Sequence, residues 1–166
     1  GLPLKSVQLP HPPIYAGTRN ETGKEVIARD GDYWFVDYQT DYRMADHNIE
    51  QAAVFIADMR KRAERHGRTI DFGMSCHVIC ADTTEEAVDL ANQLEEHGKT
   101  LSNRVAFIAA KALGPGLVGT PEKIADRIRR YEAAGVGTLM MHFHPMVEGM
   151  ERFARQVMPL LNRKAP

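Results

Sequence analysis

The chain has 166 residues, enough for one domain of ordinary size with a buried core. Its 21 basic and 22 acidic residues are interspersed and leave a formal charge of −1, so no basic stripe offers itself to nucleic acid or an anionic membrane. No apolar run approaches the roughly 20 residues of a membrane helix, and no basic segment followed by an apolar one opens the chain as a secretory signal would.

The first ten residues, Gly1 to Pro10, carry no initiator methionine and read as a connecting segment from within a longer protein. A short apolar strand fenced by prolines follows, His11-Pro12-Pro13-Ile14-Tyr15-Ala16, and runs into the turn Gly17-Thr18-Arg19. A helix-compatible run, Glu21 to Arg29, comes next. Strand, glycine turn and helix N-terminus together can present backbone N–H groups to a phosphate, which points to a phosphorylated ligand. The plainer reading is a turn glycine beside a solvated arginine.

Asp32 to Tyr38 is dense in aromatic and β-branched residues and predicts a second strand. Ile49, Ala52, Ala53, Ile56, Met59 and Ala63 recur at helical spacing and give the next helix one apolar face, with Gly67 placed as its C-cap. Thr69 to Cys80 is the third strand. Within it Cys76 and Cys80 stand about 13 Å apart at ~3.3 Å per residue, beyond the ~7 Å a disulfide spans. They read as buried apolar residues of a reduced protein, and the expected compartment is cytoplasmic.

Thr83 and Glu86 form a capping box for a helix with the stripe Ala87, Leu90, Ala91 and Leu94, expected to close before Gly98. Leu101 to Leu113 is also helix-like until Gly114-Pro115-Gly116 breaks it. Thr120-Pro121-Glu122 starts another helix, with Ile124, Ile128 and Tyr131 inward and Gly135 at its end. Val136 to Phe143 is the fourth strand. A last helix carries Met150, Phe153, Val157, Leu160 and Leu161. Strands separated by helices imply a parallel α/β sheet. Four strands are half of an eight-stranded barrel, which takes about 250 residues.

The order of segments resembles the C-terminal half of the bacterial luciferase-like flavin monooxygenases, and within them the alkanesulfonate monooxygenase type. The resemblance runs from Pro10 to Leu161. It is carried by Pro-His-Pro-Pro-Ile-Tyr-Ala-Gly at 10–17, Asp32-Tyr33-Trp34-Phe35, Arg65-His66-Gly67-Arg68-Thr69 into Phe72-Gly73, and His77-Val78-Ile79 before Asp82 to Ala87. It continues through Leu117-Val118-Gly119-Thr120-Pro121-Glu122, Tyr131-x-x-x-Gly135-Val136, and Glu151-Arg152-Phe153-Ala154 with Met158-Pro159-Leu160-Leu161.

The resemblance implies a (β/α)8 TIM barrel of which residues 1–166 supply the C-terminal four β/α units, hence a fragment rather than a complete enzyme. It implies reduced FMN as cofactor, with F420 as the alternative, and O2 oxygenating a small organic substrate, an organosulfur compound being one option. An NAD(P)H:flavin reductase would supply the flavin, and the enzyme would be a homo-oligomer. Gly17, Thr18 and Arg19 fall where the family holds the flavin phosphate, although Gly-Thr-Arg replaces the more usual Gly-Ser-Ser.

Strand alternation puts Gly73, Ser75, His77 and Ile79 on one face, suited to a barrel lumen. His77 matches a substrate-pocket histidine of the sulfonate-type members and is the first catalytic expectation; a satisfied core histidine is the plainer reading. His144 matches a pocket tyrosine and Asp37 stands at a pocket tryptophan, so both join it as expected catalytic positions. Ser75 replaces an arginine of the sulfonate-type enzymes, which points away from an alkanesulfonate, and the lid segment from Lys99 to Leu113 is shorter than theirs. Two other readings stay open. His77, His142 and His144 could give three imidazoles to Zn²⁺ in a metal-dependent barrel hydrolase, though no carboxylates that would orient them are evident nearby. The chain could also be a half-barrel that binds flavin without turnover. No metal site is assigned.

Overall fold

The computed structural model describes residues 6–100 and 111–162. Each principal strand is followed by a helix: β1 (Tyr15–Ala16), α1 (Glu21–Asp30), β2 (Tyr33–Phe35), α2 (Ala45–Arg65), β3 (Asp71–Cys80), α3 (Thr84–Thr100). The two-residue strand β4 (Val118–Gly119) then leads into α4 (Pro121–Ala134) and β5 (Thr138–Phe143). The chain ends in α5 (Met146–Arg152), a π turn (Phe153–Val157) and α6 (Met158–Leu161). All strand pairs are parallel, as helical crossovers require.

The long strand β3 organises the sheet. Its N–H and C=O groups point alternately to two edges. The even residues meet β5 along the whole register from Gly73↔Thr138 to Val78↔Phe143. The odd residues meet β2 only at the bottom, where Val36 N–H donates to Gly73 O at 2.8 Å. Above that point the loop before β4 takes the same edge: His77 N–H donates to Ala112 O and Ile79 N–H to Leu117 O. β2 is therefore shorter than the expected Asp32–Tyr38 strand, because a different segment occupies the edge it would have needed.

Alternation also separates the two faces. Phe72 and Met74 pack with Trp34 against Ile56 and Met59 of α2, while Cys76 and Val78 pack against Ile124, Phe153 and Val157. The opposite face carries Gly73, Ser75 and His77, with Thr138, Met140 and His142 beside them in register. That face lies open in part: Tyr15 and Met140 are each 48% exposed.

The expected caps at Thr83, Thr120 and Gly135 hold: Thr83 accepts Glu86 N–H, Thr120 accepts Lys123 N–H and Gly135 ends α4 in the left-handed region at φ 107°. Asn20, not among the expected caps, accepts Gly23 N–H and caps α1. Besides the shorter β2, a fifth short strand, β4, joins the four expected, and two helical expectations change. Helix α3 runs through Gly98 to Thr100, since an isolated glycine costs only about 1 kcal/mol and no proline stops the helix there. Met150 is half exposed, because the π turn widens the spacing and the buried line becomes Gly149, Phe153, Val157. Of the expected helix and shortened lid at Leu101–Leu113, residues 101–110 lie outside the described residues, and Ala112 to Pro115 is a turn.

Cys76 and Cys80 are free and buried, as expected. Burial pushes their thiols up to about 12 and about 11. At pH 8 both are neutral, so a thiolate-directed reagent should label neither in the folded protein and both after denaturation. Native labelling that rises steeply between pH 8 and 9, as for an ordinary thiol, would contradict the burial.

Candidate functional site

Three elements converge where the strands end. The turn after β1 brings Gly17, Thr18 and Arg19. The chain leaving β2 brings Val36, Asp37, Tyr38 and Thr40, and β3 brings Ser75. With Lys111 from the loop before β4 they line a cleft of about 330 Å³. It opens between β2 and β3 because the two part after the Val36–Gly73 bond, and the loop before β4 holds them apart.

That loop is fixed by three consecutive carbonyls, each captured by a helix side chain. Asn48 of α2 donates to Gly114 O at 2.8 Å, the buried Tyr131 hydroxyl of α4 donates to Pro115 O at 3.1 Å, and Arg127 donates to Gly116 O. Burial lowers the Arg127 guanidinium below its ordinary range. Asn48 is 1% exposed and also exchanges two bonds with the backbone of Gln39, so it ties both walls of the cleft to one helix. The loop needs its glycines. A Cβ on Gly114 would collide with Gln39 O and the Tyr38 ring, and Gly116 sits at φ +71° against Ala45.

Inside the cleft, Arg19 Nε and Nη2 both reach Asp37 Oδ1, at 2.9 and 2.7 Å. Asp37, expected as a catalytic group, is thus the direct ionic partner of Arg19, expected in the phosphate turn. Thr18 Oγ1 accepts Asn20 N–H at 3.3 Å, which leaves its hydroxyl proton to donate elsewhere. Burial pushes the Tyr38 hydroxyl above the usual phenol range, so it stays protonated at neutral pH. Arg19 and Lys111 set against Asp37 give the lining one net positive charge.

His77 is 7% exposed and lies on the same face as Ser75, about 6–7 Å further along β3. Its ring stands 5.6 Å from that of His142, its cross-strand neighbour, with the planes tilted by 45°. His144 lies just past the end of β5, half-buried, its N–H donating to Val78 O. Among the described residues no three His, Cys, Asp or Glu side chains converge to hold a metal ion, so the three-histidine hydrolase reading has no ligand set there. No helix of the described residues is long and apolar enough to cross a membrane.

The family model for luciferase-like monooxygenases matches residues 3–138. The chain belongs to that family. Among solved structures, monooxygenase RslO1 from Streptomyces bottropensis is similar at TM-score 0.67 and 25% identity, over 92% of this chain and 49% of that one. A riboflavin lyase, RcaE, solved with modified FMN and riboflavin, matches at TM-score 0.65 and 20% identity, over 91% and 43%. The coenzyme F420-dependent tetrahydromethanopterin reductase of Methanopyrus kandleri matches at 0.58 and 15%, over 90% and 51%. This luciferase-like chain therefore spans about half the length of the structures it matches, and its strands form part of a (β/α) barrel.

Asn48, Tyr38 and Lys111 were not among the expected site residues. Asn48 did leave a signal: it falls on the buried stripe of α2 with Ala45, Ile49, Ala52 and Ile56. A lone amide on an apolar face needs backbone partners. Asn48→Ala should destabilise the protein by about 2 kcal/mol, because the buried Gly114 carbonyl and the part-buried backbone groups of Gln39 lose their partner. Asn48→Asp should cost at least as much, since a carboxylate would face two carbonyls. Denaturant unfolding measures both, and a loss below about 0.5 kcal/mol would remove Asn48 as the clamp of the cleft.

Proposed function

We propose that the protein acts as a flavin-dependent monooxygenase in which Gly17, Thr18 and Arg19 hold the phosphate of reduced FMN while O2 oxygenates a small organic substrate. The observation that carries this reading is the donor set of the cleft at the strand ends. A guanidinium and an ammonium, from Arg19 and Lys111, with the hydroxyls of Thr18, Tyr38, Thr40 and Ser75, line a space of about 330 Å³ that holds one carboxylate. That set fits a phosphate monoester: arginine offers paired parallel donors, lysine a point charge and the hydroxyls directional bonds. The structural neighbours include both a riboflavin lyase solved with modified FMN and an F420-dependent reductase, so the choice of FMN rests on the cleft's fit to a phosphate monoester and F420 stays the alternative.

Reduced flavin, when bound, supplies the electrons for oxygen chemistry. The residues of this chain bind, orient and exclude water. His77, buried on the open face beyond Ser75, is placed to hydrogen-bond the substrate and hold a proton at its imidazole. His142 sits against His77, and His144 faces the substrate from beyond the end of β5. Ser75 and Asp37, where sulfonate-type members carry arginine and tryptophan, favour a substrate other than an alkanesulfonate. An NAD(P)H:flavin reductase delivers the reduced flavin in this two-component arrangement, and copies of the enzyme assemble as a homo-oligomer.

Flavin fluorescence titrations of the natural full-length protein should show FMN binding more tightly than riboflavin, which lacks the phosphate. With NAD(P)H and a flavin reductase, substrate should then disappear with O2 consumption. His77→Ala should lower turnover about 10²–10³-fold while leaving FMN affinity within about twofold. Equal affinity for FMN and riboflavin would sink the phosphate assignment.

A further inference from the structure

We infer that Asp37 is a specificity-determining residue that competes with an anionic ligand for Arg19, keeping the hold on a doubly charged phosphate weak and exchangeable. The inference rests on the phosphate reading of the Gly17-Thr18-Arg19 cleft. Its starting point is how the guanidinium is engaged. Nε and Nη2 form one of the edges by which arginine grips a phosphate bidentately, and both already point at Asp37 Oδ1, at 2.9 and 2.7 Å. A phosphate arriving at Arg19 must displace the carboxylate from that edge or take the remaining donors beside it.

The pair is built to exchange. The side chains of Arg19 and Asp37 are 69% and 34% exposed, so parting them strands no buried charge. It is also anchored on two strands, 18 residues apart in sequence, Arg19 after β1 and Asp37 after β2. The carboxylate therefore stays at the cleft wall when its partner turns to a ligand. There it repels the ligand in proportion to the ligand's charge, twice as strongly for a phosphate dianion as for a monoanion. Asp37 also restrains Arg19, which by itself would favour binding. For one solvated side chain that gain is smaller than the repulsion a dianion feels a few ångströms from a carboxylate. Competition prevails. Without the carboxylate, Arg19 and Lys111 would give the lining two net positive charges instead of one. A flavin that must arrive reduced and leave oxidised is served by the weaker hold.

Oxidised FMN and riboflavin, titrated by fluorescence, test this on the wild-type protein, Asp37→Asn, Asp37→Ser and the double variant Arg19→Ala/Asp37→Asn. Both single variants should bind FMN about tenfold more tightly, with riboflavin unchanged. The double variant should lose the gain, and the gain should shrink as salt rises from about 0.01 M to 1 M. Wild-type protein that prefers FMN to riboflavin, with single variants binding FMN equally or more weakly, would overturn the competition and leave the phosphate reading standing. Absence of any FMN preference in the wild type would overturn the phosphate reading and the inference with it.

Discussion

The capture of the Gly114, Pro115 and Gly116 carbonyls by Asn48, Tyr131 and Arg127 is the interaction on which the site depends. Backbone carbonyls that run through a protein interior without partners cost free energy, and a turn has no ladder of its own to satisfy them. Two helices supply the donors instead. The loop so fixed lies along the upper edge of β3, where Ala112 and Leu117 accept from His77 and Ile79. It thereby prevents β2 from zipping up beside β3. The parting of those strands is the cleft, and Lys111 enters it from the same loop. Two glycines make this approach sterically feasible, one under the Gln39 carbonyl and one in the left-handed region.

A parallel strand covered by helices on one side divides labour by parity. In β3 the even residues Phe72, Met74, Cys76 and Val78 are fully buried and contribute apolar burial of about 25 cal/mol per Å². The odd residues Gly73, Ser75 and His77 are small or polar and line the partly open face, while Ile79 near the strand's end is buried in an apolar cluster with Ala87 and Val118. His77 follows this rule although buried, since its neighbour across the sheet is His142 rather than an aliphatic side chain. The two cysteines belong to the even set and are buried among apolar side chains.

Much of this was legible in the sequence wherever the determining interaction is local. Alternation over ten residues identifies β3 and sorts its faces, and the caps at Thr83, Thr120 and Gly135 need only three or four residues of context. The features that escaped are made at a distance. Asn48 meets Gly114 across 66 positions, and no spacing rule links them. Arg19 meets Asp37 only because β1 and β2 are paired in register, Tyr15 to Tyr33 and Ala16 to Trp34. The π turn at Phe153–Val157 shifts the buried stripe by one residue, which a fixed period of 3.6 cannot register. The family resemblance pointed to the Gly17-Thr18-Arg19 turn without revealing that its arginine carries a carboxylate partner.

The two parts of the site differ in how self-sufficient they are. The cleft of Arg19, Asp37 and Lys111 is lined by described residues of this chain, and its walls are tied to the core through Asn48. The face bearing Ser75, His77 and His142 is not closed in the same way: Tyr15 and Met140 next to it expose nearly half of their surface. A reacting centre that must exclude water cannot work on such a face. On the proposed reading, drying this face would fall to elements beyond the described residues, and the chain spans only about half the length of the structures it matches. Recognition of the cofactor's charge and protection of its chemistry are separable on that reading. The first would fall to the Arg19–Asp37 pair between neighbouring strands, and the second to whatever covers the face that Tyr15 and Met140 leave partly open among the described residues.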